Sequence, residues 1–237
     1  MTFIQGFVLA VPTANRDIYR AHAAEAFPLF QEFGARRMVE AWGDDVPDGT
    51  VTDFRRAVQA KDDETVVFSW VEYADQAAYA AALDAMMQDP RMEDMPPMPF
   101  DGRRMIFAGF DPLLDEGPGG APGYIDGFLV PVPADCKDAY FALARDAAAL
   151  FLDYGATRVV EAWGDDLPDG KVTDFNRATH VTGGEKVVFS WIEWPSREAR
   201  DAGQARMMAD PRMPEPSALP FDGKRMIFGG FLPILDQ

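Results

Sequence analysis

Apolar and polar positions along the chain follow two different periods, and the changes between them mark the elements of a fold. Phe3 to Val11 is an apolar run that stops at Pro12, which predicts a strand. Tyr19, Ala23, Ala26, Phe27, Phe30 and Phe33 then recur at helical spacing, and Gly34 stands where a helix C-terminus favours glycine. Pro28 lies inside that pattern and predicts a kink, because an interior proline removes one backbone hydrogen bond. Arg37 to Trp42 reads as a second strand, and Gly43 to Gly49 as a loop dense in turn residues. Thr65 to Tyr73 is apolar almost throughout, as expected of a strand buried on both faces. Asp75 is placed to cap a second helix carrying Tyr79, Leu83, Met86 and Met87, which Pro90 ends, and Arg104 to Leu114 reads as the last strand.

The whole pattern then occurs again. Glu40-Ala41-Trp42-Gly43-Asp44-Asp45 returns as Glu161-Ala162-Trp163-Gly164-Asp165-Asp166, an offset of 121 residues. The same offset carries Val67-Phe68-Ser69-Trp70 onto Val188-Phe189-Ser190-Trp191, and Asp89-Pro90-Arg91-Met92 onto Asp210-Pro211-Arg212-Met213. Pro99-Phe100-Asp101-Gly102 likewise returns as Pro220-Phe221-Asp222-Gly223, with no gap needed. Gly117-Pro118-Gly119-Gly120-Ala121-Pro122-Gly123 has almost nothing to bury and reads as a linker. The expected organisation is a first repeat over 1–116, a linker over 117–123 and a second repeat over 124–237. The expected class is α+β, with each repeat a ferredoxin-like βαββαβ unit: a four-stranded antiparallel sheet with both helices on one face. The other sheet face needs a partner, and the second copy is the nearest one.

Composition narrows the function. The chain has 22 Lys and Arg against 39 Asp and Glu, a net charge of −17, and no clustered basic patch, so a nucleic-acid partner is not expected. No apolar run approaches the roughly 18 residues that a membrane helix needs, and no export signal is visible, so a cytoplasmic, membrane-free protein is expected. Cys136 is the only cysteine, which leaves no disulfide framework. Of the two histidines, His22 aligns with Leu143 and His180 with Gln59, which disfavours a repeated histidine-based triad, haem or metal site; no cofactor or metal is expected.

Several separated strings of the second repeat resemble one family. Glu161-Ala162-Trp163-Gly164-Asp165-Asp166-Leu167-Pro168-Asp169-Gly170, Val188-Phe189-Ser190-Trp191-Ile192-Glu193-Trp194-Pro195-Ser196 and Pro220-Phe221-Asp222-Gly223-Lys224-Arg225-Met226-Ile227 are similar to the uncharacterised YbaA-like bacterial family, domain of unknown function 1428. The resemblance implies a dimeric α/β-barrel in which two ferredoxin-like units pair their sheets. It implies no activity, since the family's biochemistry is unassigned. Two copies in one chain suggest an intrachain pseudo-dimer, with further oligomerisation open. Tyr73-Ala74-Asp75 stands where the second copy has Trp194-Pro195-Ser196, so the expectation includes a site intact in one half only.

The least ordinary residues are charges within strands. Alternation puts Glu40 and Trp42 on one face of their strand, and Phe68, Trp70 and Glu72 on one face of theirs. Two carboxylates beside two indoles would line a pocket in which burial raises a carboxyl pKa into a useful range for proton transfer. The candidate pocket is therefore Glu40, Trp42, Trp70, Glu72 and Arg91, with Glu161, Trp163, Trp191, Glu193 and Arg212 in the second copy. The competing reading pairs Glu40 and Glu72 with Arg56, Arg91 or Arg103, or leaves them at a sheet edge. Asp44, Asp45 and Asp48 lack the partners of a calcium loop, since Val46 and Arg55 occupy the positions that should bring oxygen ligands, and they read as turn residues. Ser69 and Ser190 read as packed serines, and Met86, Met87, Met207 and Met208 as core filling. Three functions follow as expectations: a small-molecule pocket in one or both repeats, a non-catalytic binding or assembly protein, and, by fold analogy only, a cofactor-independent monooxygenase-like or isomerase-like enzyme.

Overall fold

The structure is a computed structural model, and it describes residues 2–92, 96–212 and 218–237. Met1 and Met213 therefore lie outside the described residues. The predicted strands form as β1 (Phe3–Pro12), β2 (Ala35–Asp45), β3 (Glu64–Tyr73) and β4 (Ile106–Glu116), and again as β5 (Tyr124–Pro133), β6 (Arg158–Gly164), β7 (Glu185–Trp194) and β8 (Ile227–Asp236). The helices are α1 (Arg16–Glu32), α2 (Phe54–Ala57), α3 (Gln76–Gln88), α4 (Lys137–Asp153), α5 (Phe175–Ala178) and α6 (Arg197–Met207). Gly34 follows α1 at φ +105°, and Gly155 follows α4 at the same angle, a backbone state that glycine adopts without strain. Asp75 caps α3 by accepting the Ala78 N–H at 2.8 Å. Despite Pro28, α1 runs unbroken for 17 residues, as long as α4.

All eight strands join one closed antiparallel barrel in the order β1-β3-β2-β8-β5-β7-β6-β4. Within each repeat the order is β4-β1-β3-β2 and β8-β5-β7-β6, and the repeats meet at two seams, β2 with β8 and β4 with β6. Closure removes every free strand edge, the hazard an open four-stranded sheet would carry. One seam corrects the loop expected from Gly43: Gly43 and Asp45 pair with Phe231 and Gly230, so β2 runs on to Asp45. The short helices α2 and α5 have no counterpart in the periodicity of the sequence. Asp53 and Asp174 cap them, and Phe54 and Phe175 enter the barrel core.

The barrel interior is a stack of paired side chains from the two repeats. Phe68 and Phe189 lie face to face at 4.4 Å between ring centroids, and Trp70 and Trp191 at 4.3 Å. Glycines on β1 and β5 make room for the Phe pair: a Cβ on Gly6 would come within 2.7 Å of the Phe189 ring, and one on Gly127 within 3.0 Å of Phe68. Each repeat thus leaves a notch for the other's aromatic ring. On the outside, α1 and α3 cover the sheet of the first repeat and α4 and α6 that of the second, over separate apolar clusters.

Candidate functional site

Register decides which of the expected site residues meet. Residues paired across adjacent strands share a sheet face, and Glu40 pairs with Ser69 while Val39 pairs with Trp70. Glu40 and Trp42 therefore point outward beneath α1, whereas Trp70 and Glu72 point into the barrel. The ten candidates fall into three places.

The first is the barrel interior. Each indole of the central stack donates to the glutamate two residues on, Trp70 to Glu72 at 3.2 Å and Trp191 to Glu193 at 3.1 Å. Two arginines from β2 and β6 bridge the repeats: Arg158 donates to Glu72 at 2.7 Å, and Arg37 to Glu193 at 3.0 Å. Their far sides are held by Asp115 and Asp236. Every charge here is committed to a partner of opposite sign, and the rings above are packed without exposure. The paired charges tie the two repeats together, and on their outer side Arg37, Glu72, Asp115 and Arg158 border a solvent-open cleft with Gly117 to Gly120. The Oε2 atom of Glu193 is buried with no hydrogen-bond partner.

The second place is the exposed surface. Arg91 bonds Asp89 and Glu32, and Arg212 bonds Asp210 and Asp153; Arg91 borders a surface cleft beside α1 but lines neither the barrel interior nor the cavity over Glu40. Trp42 and Trp163 are instead buried on the helix-covered side, Trp42 packed against Tyr19 and Trp163 beside Tyr140 and donating to Asp165 at 2.8 Å.

The third place lies between sheet and helix in each repeat, and here two cavities occur at matching positions. The first, of about 170 Å³, has Glu40 and Ser69 on its sheet floor, Tyr19 and His22 on α1, and Phe7, Phe30, Phe100 and Met98 around it. The second, of about 230 Å³, repeats the plan with Glu161, Ser190, Tyr140 and Leu143, walled by Phe128, Phe151, Phe221 and Leu219. Tyr19 donates its hydroxyl to Glu40, and Tyr140 to Glu161 at 2.7 Å. Burial pushes both glutamates up to about 7, although the tyrosine and serine hydroxyls draw them down. Burial, with the neighbouring carboxylate, lifts each tyrosine well above its ordinary value, so the proton stays on the phenol. Each cavity thus holds a carboxyl that exists in both protonation states near neutral pH, inside apolar walls.

Sequence reasoning reaches Glu40 and Glu161 but misses their companions, since Tyr19 and Ser69 read as packing residues in the linear pattern. The available signal is the repeat itself: tyrosine, glutamate and serine all recur at the same offset, as Tyr140, Glu161 and Ser190. Among the described residues no group of three or more His, Cys, Asp or Glu side chains could hold a metal, and no helix is long and apolar enough to cross a membrane. Asp44 and Asp45 act across the repeats, Asp44 on Tyr124 and Arg197 and Asp45 on Arg200.

Comparison with known proteins places the chain. It matches the family described as "Protein of unknown function (DUF1428)" twice, over residues 2–102 and 123–223. The uncharacterised protein YbaA of Escherichia coli K12 is 59% identical over 115 residues, which is 48% of this chain and 98% of the relative; that of Shigella flexneri matches equally. Among solved structures, an anthrone oxidase-like protein aligns with a TM-score of 0.56 at 11% identity, covering 100% of this chain and 92% of the other. A proposed monooxygenase of Lactobacillus acidophilus aligns with a TM-score of 0.58 at 10% identity, over 100% and 96% of the two chains. At such identity the likeness is one of fold. The chain belongs to the DUF1428 family, as a tandem duplication of the unit that YbaA carries once.

Proposed function

We propose that this member of a family of unknown function binds a weakly acidic organic molecule, about the size of a substituted benzene ring, in each helix-covered pocket and moves a proton with Glu40 and Glu161. The observation that carries this reading is the recurrence, in both repeats, of a glutamate and a serine on the sheet floor of an apolar cavity with a tyrosine above them on the helix. An apolar cavity of about 150 Å³ suffices for benzene, so cavities of about 170 and 230 Å³ suit one ring with a substituent. A carboxyl poised near 7 is matched to proton transfer at neutral pH.

The chemistry follows from the donors present. The glutamate takes a proton from an O–H or an acidic C–H of the ligand and becomes neutral. The hydroxyls of Tyr19 and Ser69, or of Tyr140 and Ser190, then stand beside the new anion as hydrogen-bond donors. Returning the proton to a different atom would make an isomerase-like enzyme, and reaction of the anion with dioxygen a monooxygenase-like one. Fold likeness alone supports the second outcome. The isomerase-like outcome needs only proton transfer by the chain's own side chains, whereas the monooxygenase-like one consumes dioxygen as oxidant and co-substrate, a CH2 becoming C=O with release of water.

In this reading the molecule is a cytoplasmic intrachain pseudo-dimer of two ferredoxin-like units, 1–116 and 124–237, joined by the linker 117–123, with a small molecule rather than nucleic acid as its partner. The strand order and the two seams support it. The assembly function keeps a specific place: Trp70, Glu72, Trp191, Glu193, Arg37 and Arg158 complete a shared core. A thermal-shift screen against ring-sized phenols and enols tests the pocket reading. A ligand at a hundredfold over its Kd adds about 2.7 kcal/mol of stability, and the gain should shrink in Glu40→Gln or Glu161→Gln and persist in Arg91→Ala. Equal shifts in all three variants would remove the glutamates from the site.

A further inference from the structure

The two cavities agree on the floor and differ at the rim. His22 occupies in the first the place that Leu143 occupies in the second. His22 lies three residues after Tyr19 on α1, close to one helical turn further along. It also borders the clefts just outside, beside Glu25 and Pro96, so it separates the cavity from solvent. Burial holds its imidazole below the ordinary value, against the pull of Glu25. Near neutral pH it is therefore an uncharged ring with one N–H to donate and one nitrogen to accept. Leu143 offers neither, and the Leu143 cavity is the larger, about 230 against 170 Å³.

A ligand that rests its acidic group on the glutamate presents its far end to this rim position. A polar far end buried against Leu143 loses its water partners without replacement, while against His22 it regains one. An apolar far end against His22 leaves the imidazole N–H unpaired instead. We propose that the two pockets select different ligands: the first takes a ring-sized acid whose far end carries a hydrogen-bonding polar group seated on His22, and the second a ring-sized acid whose far end is wholly apolar, seated on Leu143. The inference rests on the pocket reading given above and deepens it into a division of specificity between the repeats.

Two probes of matched shape separate the cases, 4-hydroxyacetophenone with a carbonyl at the far end and 4-isopropylphenol with an apolar group there. Calorimetric titration of the full chain should give one tight site for each probe, with the other pocket weaker by about tenfold to a hundredfold. His22→Leu should leave no tight site for 4-hydroxyacetophenone and two for 4-isopropylphenol. Leu143→His should give the reverse, and His22→Asn, which keeps a donor, should retain the acetophenone site. Both positions are half-buried at the rim, so folding is checked directly by circular dichroism of each variant. Site numbers that ignore both exchanges, while the probes still bind, would overturn the division of specificity and leave the pocket reading standing. Absence of binding by either probe to any folded form would overturn both.

Discussion

Replacing Glu40 by glutamine should flatten the dependence of stability on pH between about 4.5 and 7, the ordinary and the folded-state values of this carboxyl. The folded chain holds the Glu40 proton more tightly than the unfolded chain, because ionisation would place a charge under α1 among Phe7, Phe30 and Phe100. Stability is therefore complete below the unfolded value and is lost as pH rises through the folded one. A rise from 4.5 to about 7 corresponds to roughly 3 kcal/mol lost by pH 8. The glutamine amide in Glu40→Gln would keep a carbonyl to accept the Tyr19 hydroxyl but carries no charge to desolvate. The variant should thus equal or trail the wild type at pH 4.5 and exceed it by up to about 3 kcal/mol at pH 8. Urea denaturation at half-unit steps from pH 4.5 to 8.5, with equal m-values, measures the difference. Glu161→Gln should behave alike, since burial raises the Glu161 carboxyl to the same value. Parallel wild-type and variant curves across that range would refute the reasoning, because a carboxyl with an ordinary pKa contributes no slope there.

Other outcomes follow from the same geometry. Gly127→Ala should cost about 1–3 kcal/mol by pressing a methyl group against Phe68 in a closed core, readable as a shift of the urea midpoint. Arg158→Met should cost about 3–5 kcal/mol, because Glu72 and Asp115 then lose a buried partner; Arg91→Ala, on the exposed surface, should leave the midpoint unchanged. Each repeat expressed alone, 1–116 or 124–237, should sediment as a dimer or fail to fold, since either half exposes two seam strands and half of the aromatic stack. A soluble, stable monomer of either half would contradict the shared core.

The parts of the fold that local pattern controls are legible in the sequence. Periodicity locates the eight strands and four long helices, Gly34 marks a helix end and Asp75 a cap. What depends on distant partners is not legible. Gly43 to Asp45 look like turn residues and become strand only because β8, nearly the whole chain away, pairs with them. Phe54 to Ala57 is too short for any period to show. The candidate site divides for a similar reason. Alternation gives the faces within each strand correctly, but the pairing of Glu40 with Ser69 rather than Trp70 is a matter of register. One step of register moves a side chain between the barrel core and the helix-covered pocket. The two carboxylates expected to meet, Glu40 and Glu72, consequently lie on opposite sides of one sheet, one buried beneath α1 and bonded by Tyr19, the other held between arginines.

The central claim, that Glu40 and Glu161 are ligand-facing proton carriers, is tested most directly by following their side-chain carboxyl carbons in a 13C NMR titration, assigned through the two glutamine variants. Two resonances should titrate near 7, both displaced when 4-isopropylphenol and 4-hydroxyacetophenone are added together. Two resonances titrating near 4.5, or titrating near 7 but unmoved by the probes, would contradict it.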